Sequence, residues 1–132
     1  MRILVPVFAA ALAAALPAAS PALSAGGHEH THADGPNGGR IADAGRYHLE
    51  LVARGQAVEI FLTGEDATAP VPAEGFKGTL ILIVDGKPAR IALAPAGANR
   101  LAGSAAAPLP AKPKGAVQLV GPDGATANGK FN

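Results

Sequence analysis

Residues 79–94 read TLILIVDGKPARIALA. The first six carry no charge and are apolar towards both sides of an extended chain, the pattern of a central strand. Asp85-Gly86 follows, a dipeptide suited to the two positive φ angles of a tight hairpin loop. Residues 87–94 then return as the partner strand. Pro88 has no N–H to give a ladder, which places the start of that strand near an edge.

Working outward from this hairpin, the same grammar repeats. Apolar runs alternate with Gly, Pro, Asp and Asn at intervals of roughly eight to twelve residues, an all-β signature. Residues 47–53 alternate, with Tyr47, Leu49, Leu51 and Ala53 on one face and His48, Glu50 and Val52 on the other, as in a half-buried strand. A tight connection at residues 54–56 leads to residues 57–62, where Val58, Ile60 and Leu62 share a face. Residues 40–42 form a short strand turned by Asp43-Ala44-Gly45. Gly64-Glu65-Asp66 turns the chain, and Pro70-Val71-Pro72 resists central pairing. Ala98-Asn99 turns it again into residues 100–103. Beyond a proline-rich connection at residues 108–115, residues 116–120 and 125–131 make a final hairpin about Gly121-Pro122-Asp123-Gly124. The expected fold is all-β, a small sandwich or barrel of about six to eight short antiparallel strands. No internal repeat is present.

The N-terminal end differs in kind. Met1-Arg2 is followed by residues 3–16 without a polar side chain, then by small residues ending Pro21-Ala22-Leu23-Ser24-Ala25. A positive start, a short apolar stretch and a small-residue end describe a secretory signal peptide. A membrane span needs about 20 apolar residues. Cleavage after Ala25 and cleavage after Ser24 both fit. The organisation is then a signal peptide over residues 1–25, an extended His-rich arm over residues 26–39 and a β-domain over residues 40–132. The arm holds Gly, His, Asp, Asn and Pro with nothing to bury, so it has no route to order without a ligand.

Composition narrows the function. There is no cysteine, which removes disulfides, thiolate metal sites and Cys nucleophiles. The only methionine is Met1 and there is no tryptophan, so a thioether Cu(I) site cannot be built. Loss of Arg2 with the signal peptide balances basic against acidic residues, which gives no electrostatic reason to bind nucleic acid or anionic lipid. Neither Ser24 nor Ser104 has a nucleophile signature around it, and no Gly-rich phosphate loop has the required spacing. The expectation is a protein that is not an enzyme. With few aromatics after the signal peptide, the core must be thin and aliphatic.

Histidine carries the chemistry. Three of the four imidazoles stand at alternate positions, His28, His30 and His32, in the run GGHEHTHADG. Alternate residues of an extended chain point to one side, so the three can converge on one ion, with Glu29 and Asp34 as nearby oxygen donors. Imidazole suits Zn(II), Cu(II) and Ni(II). The other reading of the run is a solubilising tail. If cleavage follows Ala25, the mature chain starts Gly26-Gly27-His28. A free amine, two amide nitrogens and an imidazole then surround a metal in one plane, which selects Cu(II) and then Ni(II). Cleavage after Ser24 destroys that chelate by one residue. His48 reads in two ways, as a surface histidine on a polar strand face or, with Glu50, as a folded anchor to which the arm delivers an ion.

The run GPNGGRIADAGRYHLELV, residues 35–52, resembles the start of a small periplasmic domain found with heavy-metal efflux systems, both in adaptor proteins of resistance-nodulation-division pumps and in small free-standing proteins. The run GFKGTLILIVDGKPARIALAPAGANRLAG, residues 75–103, also fits the spacing of that domain. In the related pattern a His often precedes the paired glycines, whereas Asn37 stands here. His48 matches the strand position where the free-standing relatives carry His. The resemblance implies a β-rich periplasmic accessory to metal resistance.

Together these readings give an expectation: an exported, periplasmic or secreted protein that binds a divalent transition metal through Gly26, Gly27, His28, His30, His32 and His48. It would buffer the ion or deliver it to an efflux adaptor or pump, with no nucleic-acid partner and no membrane anchor after cleavage. The alternative is a structural or interaction module that docks to a periplasmic partner, with the arm as a spacer.

Overall fold

In the computed structural model, which describes residues 34–132, the chain forms eight strands and, among the described residues, no helix. They are β1 (Arg40–Ala44), β2 (Tyr47–Arg54), β3 (Ala57–Thr63), β4 (Lys77–Val84), β5 (Lys87–Pro95), β6 (Arg100–Ser104), β7 (Lys114–Val120) and β8 (Thr126–Phe131). The signal-peptide reading and most of the arm, residues 1–33, lie outside the described residues.

All ladders are antiparallel, in the order β1-β2-β3-β6-β5-β4-β7-β8. Three hairpins close with two-residue loops, between Ala44 and Tyr47, Arg54 and Ala57, and Val84 and Lys87. In the last, Asp85 and Gly86 have φ of 51° and 74°, the type I′ geometry that matches strand twist. β4, β5 and β6 follow one another by turns, and β7 comes back over a long connection to lie beside β4. That is a Greek key. At the ends of the sheet, β8 lies against β1, where Gly129 packs on the Asp43 backbone. The sheet is thus rolled into a nearly closed barrel, and its two free edges shield each other from pairing with other chains.

The alternating pattern delivers the core. Leu49, Leu51, Val58, Ile60, Leu62, Leu80, Leu82, Leu101, Val117, Leu119 and Phe131 are all buried. Each contributes about 1.5–3 kcal/mol by leaving water. The core is aliphatic, as the composition requires.

Four features depart from the sequence reading. β1 runs on to Ala44, and its turn is Gly45-Arg46 rather than Asp43-Ala44-Gly45. Ala44 is fully buried, and Gly45, at φ 58°, takes the first loop position that an L side chain resists. Residues 35–39, read as part of the arm, fold into a turn against β2. For that reason Glu50 and Val52, expected on a solvated face, are buried. Finally, β4 is central by pairing but not covered on both faces. Leu80 and Leu82 enter the core, while Ile83 is 49% exposed on the outside. Pro88 sits as expected: β5 pairs with β6 only at Ala94 and Pro95, so the start of β5 has one neighbour.

Candidate functional site

The outer face of β1, β2 and β3 gathers the polar side chains that the core excludes. Because β1 and β2 are joined by a two-residue loop, register places Asp43 directly opposite His48 and Ile41 opposite Glu50. On the other side, His48 faces Thr63 and Glu50 faces Phe61. His48 and Glu50 therefore stand two residues apart on one face, about 7 Å along the strand.

Glu50 is a clamp. Its Oε1 accepts the N–H of Asn37 at 2.8 Å and that of Gly39 at 3.0 Å, and its Oε2 accepts Asn37 Nδ2 at 2.9 Å. The turn closes on itself through Gly35 N–H to the Gly39 carbonyl and Gly38 N–H to the Gly35 carbonyl. Glycine is dictated by proximity here. A Cβ on Gly35 would lie 2.3 Å from Glu50 Cδ, and one on Gly39 would lie 2.2 Å from the Leu51 carbonyl oxygen. The GPNGG run is thus explained by packing: a turn pressed onto a buried carboxylate. Asn37 serves Glu50 through its side-chain amide.

His48 has a different environment. Its side chain is one-third exposed, and Nδ1 lies 2.6 Å from Asp43 Oδ1. A carboxylate at that distance orients the ring by accepting a hydrogen bond from Nδ1–H. In the neutral ring with its proton on Nδ1, Nε2 carries the lone pair, the arrangement common behind metal-bound histidines, whereas a hydrogen bond from Nε2 to a carbonyl would need a proton there. Nε2 itself lies 3.3 Å from the Glu65 carbonyl, a long contact. The loop carrying Glu65 is held by Gly64 N–H to the Ala69 carbonyl, and by Asp66, which accepts from the Thr68 hydroxyl and the Thr68 N–H. Those two bonds, the hydroxyl first, hold the Asp66 carboxyl below the ordinary range. Between the 35–39 turn and this loop is a pocket of about 90 Å³, lined by Pro36, Asn37, Ile41, His48, Glu50 and Phe61 among others. Organic ligands usually take roughly 300–1,000 Å³, so the space suits an ion or a few atoms.

Of the residues singled out from sequence, Gly26, Gly27, His28, His30 and His32 lie outside the described residues. His48 is on the outer face, but its partner is not Glu50, whose two oxygens are committed to the turn. Asp43, assigned to a turn by the sequence reading, is that partner. Its signal was available: a two-residue loop starting at Gly45 sets Asp43 across from His48 by counting. Among the described residues, no three His, Asp or Glu side chains gather as a metal site. His48 can therefore be one ligand of a set but not the set.

No family model, curated protein or solved structure matches this chain.

Proposed function

We propose that the chain is an exported carrier of a divalent transition metal, Cu(II), Ni(II) or Zn(II), which buffers the ion or hands it to an efflux system in the periplasm. The observation that carries this reading is the Asp43–His48 pair beside the clamped base of the histidine run. Gly35 is pressed against Glu50, and Glu50 and His48 are neighbours on one face. His32 precedes Gly35 by three residues, a span of up to about 10 Å, and His30 and His28 reach further. Chain length therefore allows the run to meet His48 Nε2 without disturbing the barrel. Zn(II) seeks four ligands, and His28, His30, His32 and His48 supply four imidazoles. Cu(II) and Ni(II) have a second option in the amine and amides of a chain beginning Gly26-Gly27-His28. The resemblance to efflux-associated domains supplies the setting.

Calorimetry on the exported chain tests this. Deleting residues 26–33 should abolish tight binding of both Cu(II) and Zn(II). His48→Ala should weaken Zn(II) at least tenfold and leave Cu(II) nearly unchanged. One extra residue ahead of Gly26 should weaken Cu(II) by orders of magnitude. Unchanged Zn(II) and Cu(II) affinity in the deletion variant would overturn the reading. An interaction module remains the second reading, and the bare outer face of β4 favours it.

A further inference from the structure

The outer face of β4, β5, β7 and β8 lies away from His48 and is built differently. The ladders set Arg90, Ile81, Ala116 and Lys130 in one row across four strands, and Pro88, Ile83 and Lys114 in the next. Ile81 and Ile83 form an apolar centre, and Ile83 is the one large hydrophobic exposed among the described residues. Around them stand Arg90, Lys114 and Lys130, with Lys87 at the hairpin end, all exposed. Arg90 and Lys130 are three strand spacings apart, about 14 Å. Among the described residues none of these four cations makes an ion pair; the pairs are made elsewhere, by His48, Arg100 and Lys112.

A chain of net charge +1 has therefore gathered Arg90, Lys114 and Lys130 on one face without an ion pair around exposed isoleucine, with Asp85 the carboxylate in the hairpin loop before Lys87. Such an arrangement is unfavourable in the isolated barrel, since like charges repel and apolar surface meets water. Both costs are relieved by one kind of occupant, which brings carboxylates to the rim and an aliphatic or aromatic side chain to the centre. The surface also carries an open depression. Ile81, Ile83, Ala116 and Phe131 line a shallow groove of about 440 Å³ between Lys114 and Lys130. A groove receives a protruding side chain, whereas a flat lipid surface is entered by a protruding element of the protein. We infer that this face is a docking surface for an acidic segment of a partner protein, with its apolar side chain seated over Ile81 and Ile83 and its carboxylates on Arg90, Lys114 and Lys130. The surface shares no residue with the metal site proposed above, so the two stand or fall separately.

The test uses the ¹⁵N-labelled exported chain and a synthetic peptide with two leucines set between pairs of glutamates. At low salt, amide shifts should be confined to Ile81, Ile83, Arg90, Ala116, Lys130 and their neighbours, and should fade as salt is raised. The double variant Lys114→Glu, Lys130→Glu should bind at least tenfold more weakly, with the rest of its spectrum unchanged. A peptide with lysine in place of glutamate should not bind. Absence of shifts at millimolar peptide, shifts on another face, or full affinity in the double variant would overturn the proposal. So would flotation with phosphatidylglycerol vesicles when the peptide does not bind, which would assign the face to lipid. Concentration-dependent shifts of the same amides without peptide would assign it to a second copy of the chain.

Discussion

Asp43 and Glu50 are carboxylates on neighbouring strands with opposite duties, and the difference is burial. Glu50 is 5% exposed and satisfies three donors of the 35–39 turn. Asp43 is largely exposed, and among the described residues its side chain bonds the His48 ring alone. Truncating Glu50 leaves the buried Gly39 N–H and the part-buried Asn37 donors without their acceptor, and an unmet buried donor costs about 1–3 kcal/mol. Glu50→Ala should therefore destabilise the domain by about 2–3 kcal/mol in urea unfolding, and Glu50→Gln by less, because an acceptor for the two backbone N–H groups remains. Asp66 offers a pH reading in the loop over His48. Its carboxyl is held low by Thr68, so the order it gives that loop is fully present above the ordinary carboxylate pKa of about 3.9. That order is lost only as pH falls through the lowered value. The Thr68 amide resonance should shift in that acidic window and stay constant above it; movement centred at or above the ordinary value would contradict the assignment.

At the scale of elements, what the residues made legible was local. The 79–94 hairpin, its loop and the position of Pro88 follow from side-chain alternation and from the backbone freedom of Asp-Gly. Gly86 has φ 74° and nothing near its missing Cβ, so the cost of a side chain there is conformational alone. Gly86→Ala should lower stability by about 1–2 kcal/mol without altering the pairing of β4 with β5, as cross-strand amide contacts would report. What was not legible was non-local. Glu50 looks solvent-facing by period because nothing in its own strand announces the turn that covers it. Residues 35–39 look like a tail because their order comes from a carboxylate eleven to thirteen residues away. The outer face of β4 looks buried because Ile81 and Ile83 are apolar, and only topology reveals that no layer of the described residues lies over them.

For the whole molecule, the barrel separates two surfaces that a linear reading mixes. Rolling β1 against β8 closes the edges, while Arg40 reaches the Lys112 and Asn132 carbonyls and Lys112 pairs with Asp34 across the seam. One outer face then holds His48, Asp43 and the root of the histidine run, and the other holds the cation-rimmed isoleucines. The class of fold was legible from strand count and punctuation. The order of strands was not, because a Greek key depends on which edges meet. We propose that this architecture presents His48 as a metal ligand oriented by Asp43. Its most direct test is a Zn(II) titration of the chain from Gly26 onward labelled with ¹⁵N-histidine, read at the ring nitrogens. The account predicts that His48 Nε2 shifts with zinc while Nδ1 keeps its proton towards Asp43, and that Asp43→Asn weakens the affinity about 10–100-fold. Ring nitrogens of His48 that do not respond at saturating zinc would contradict it.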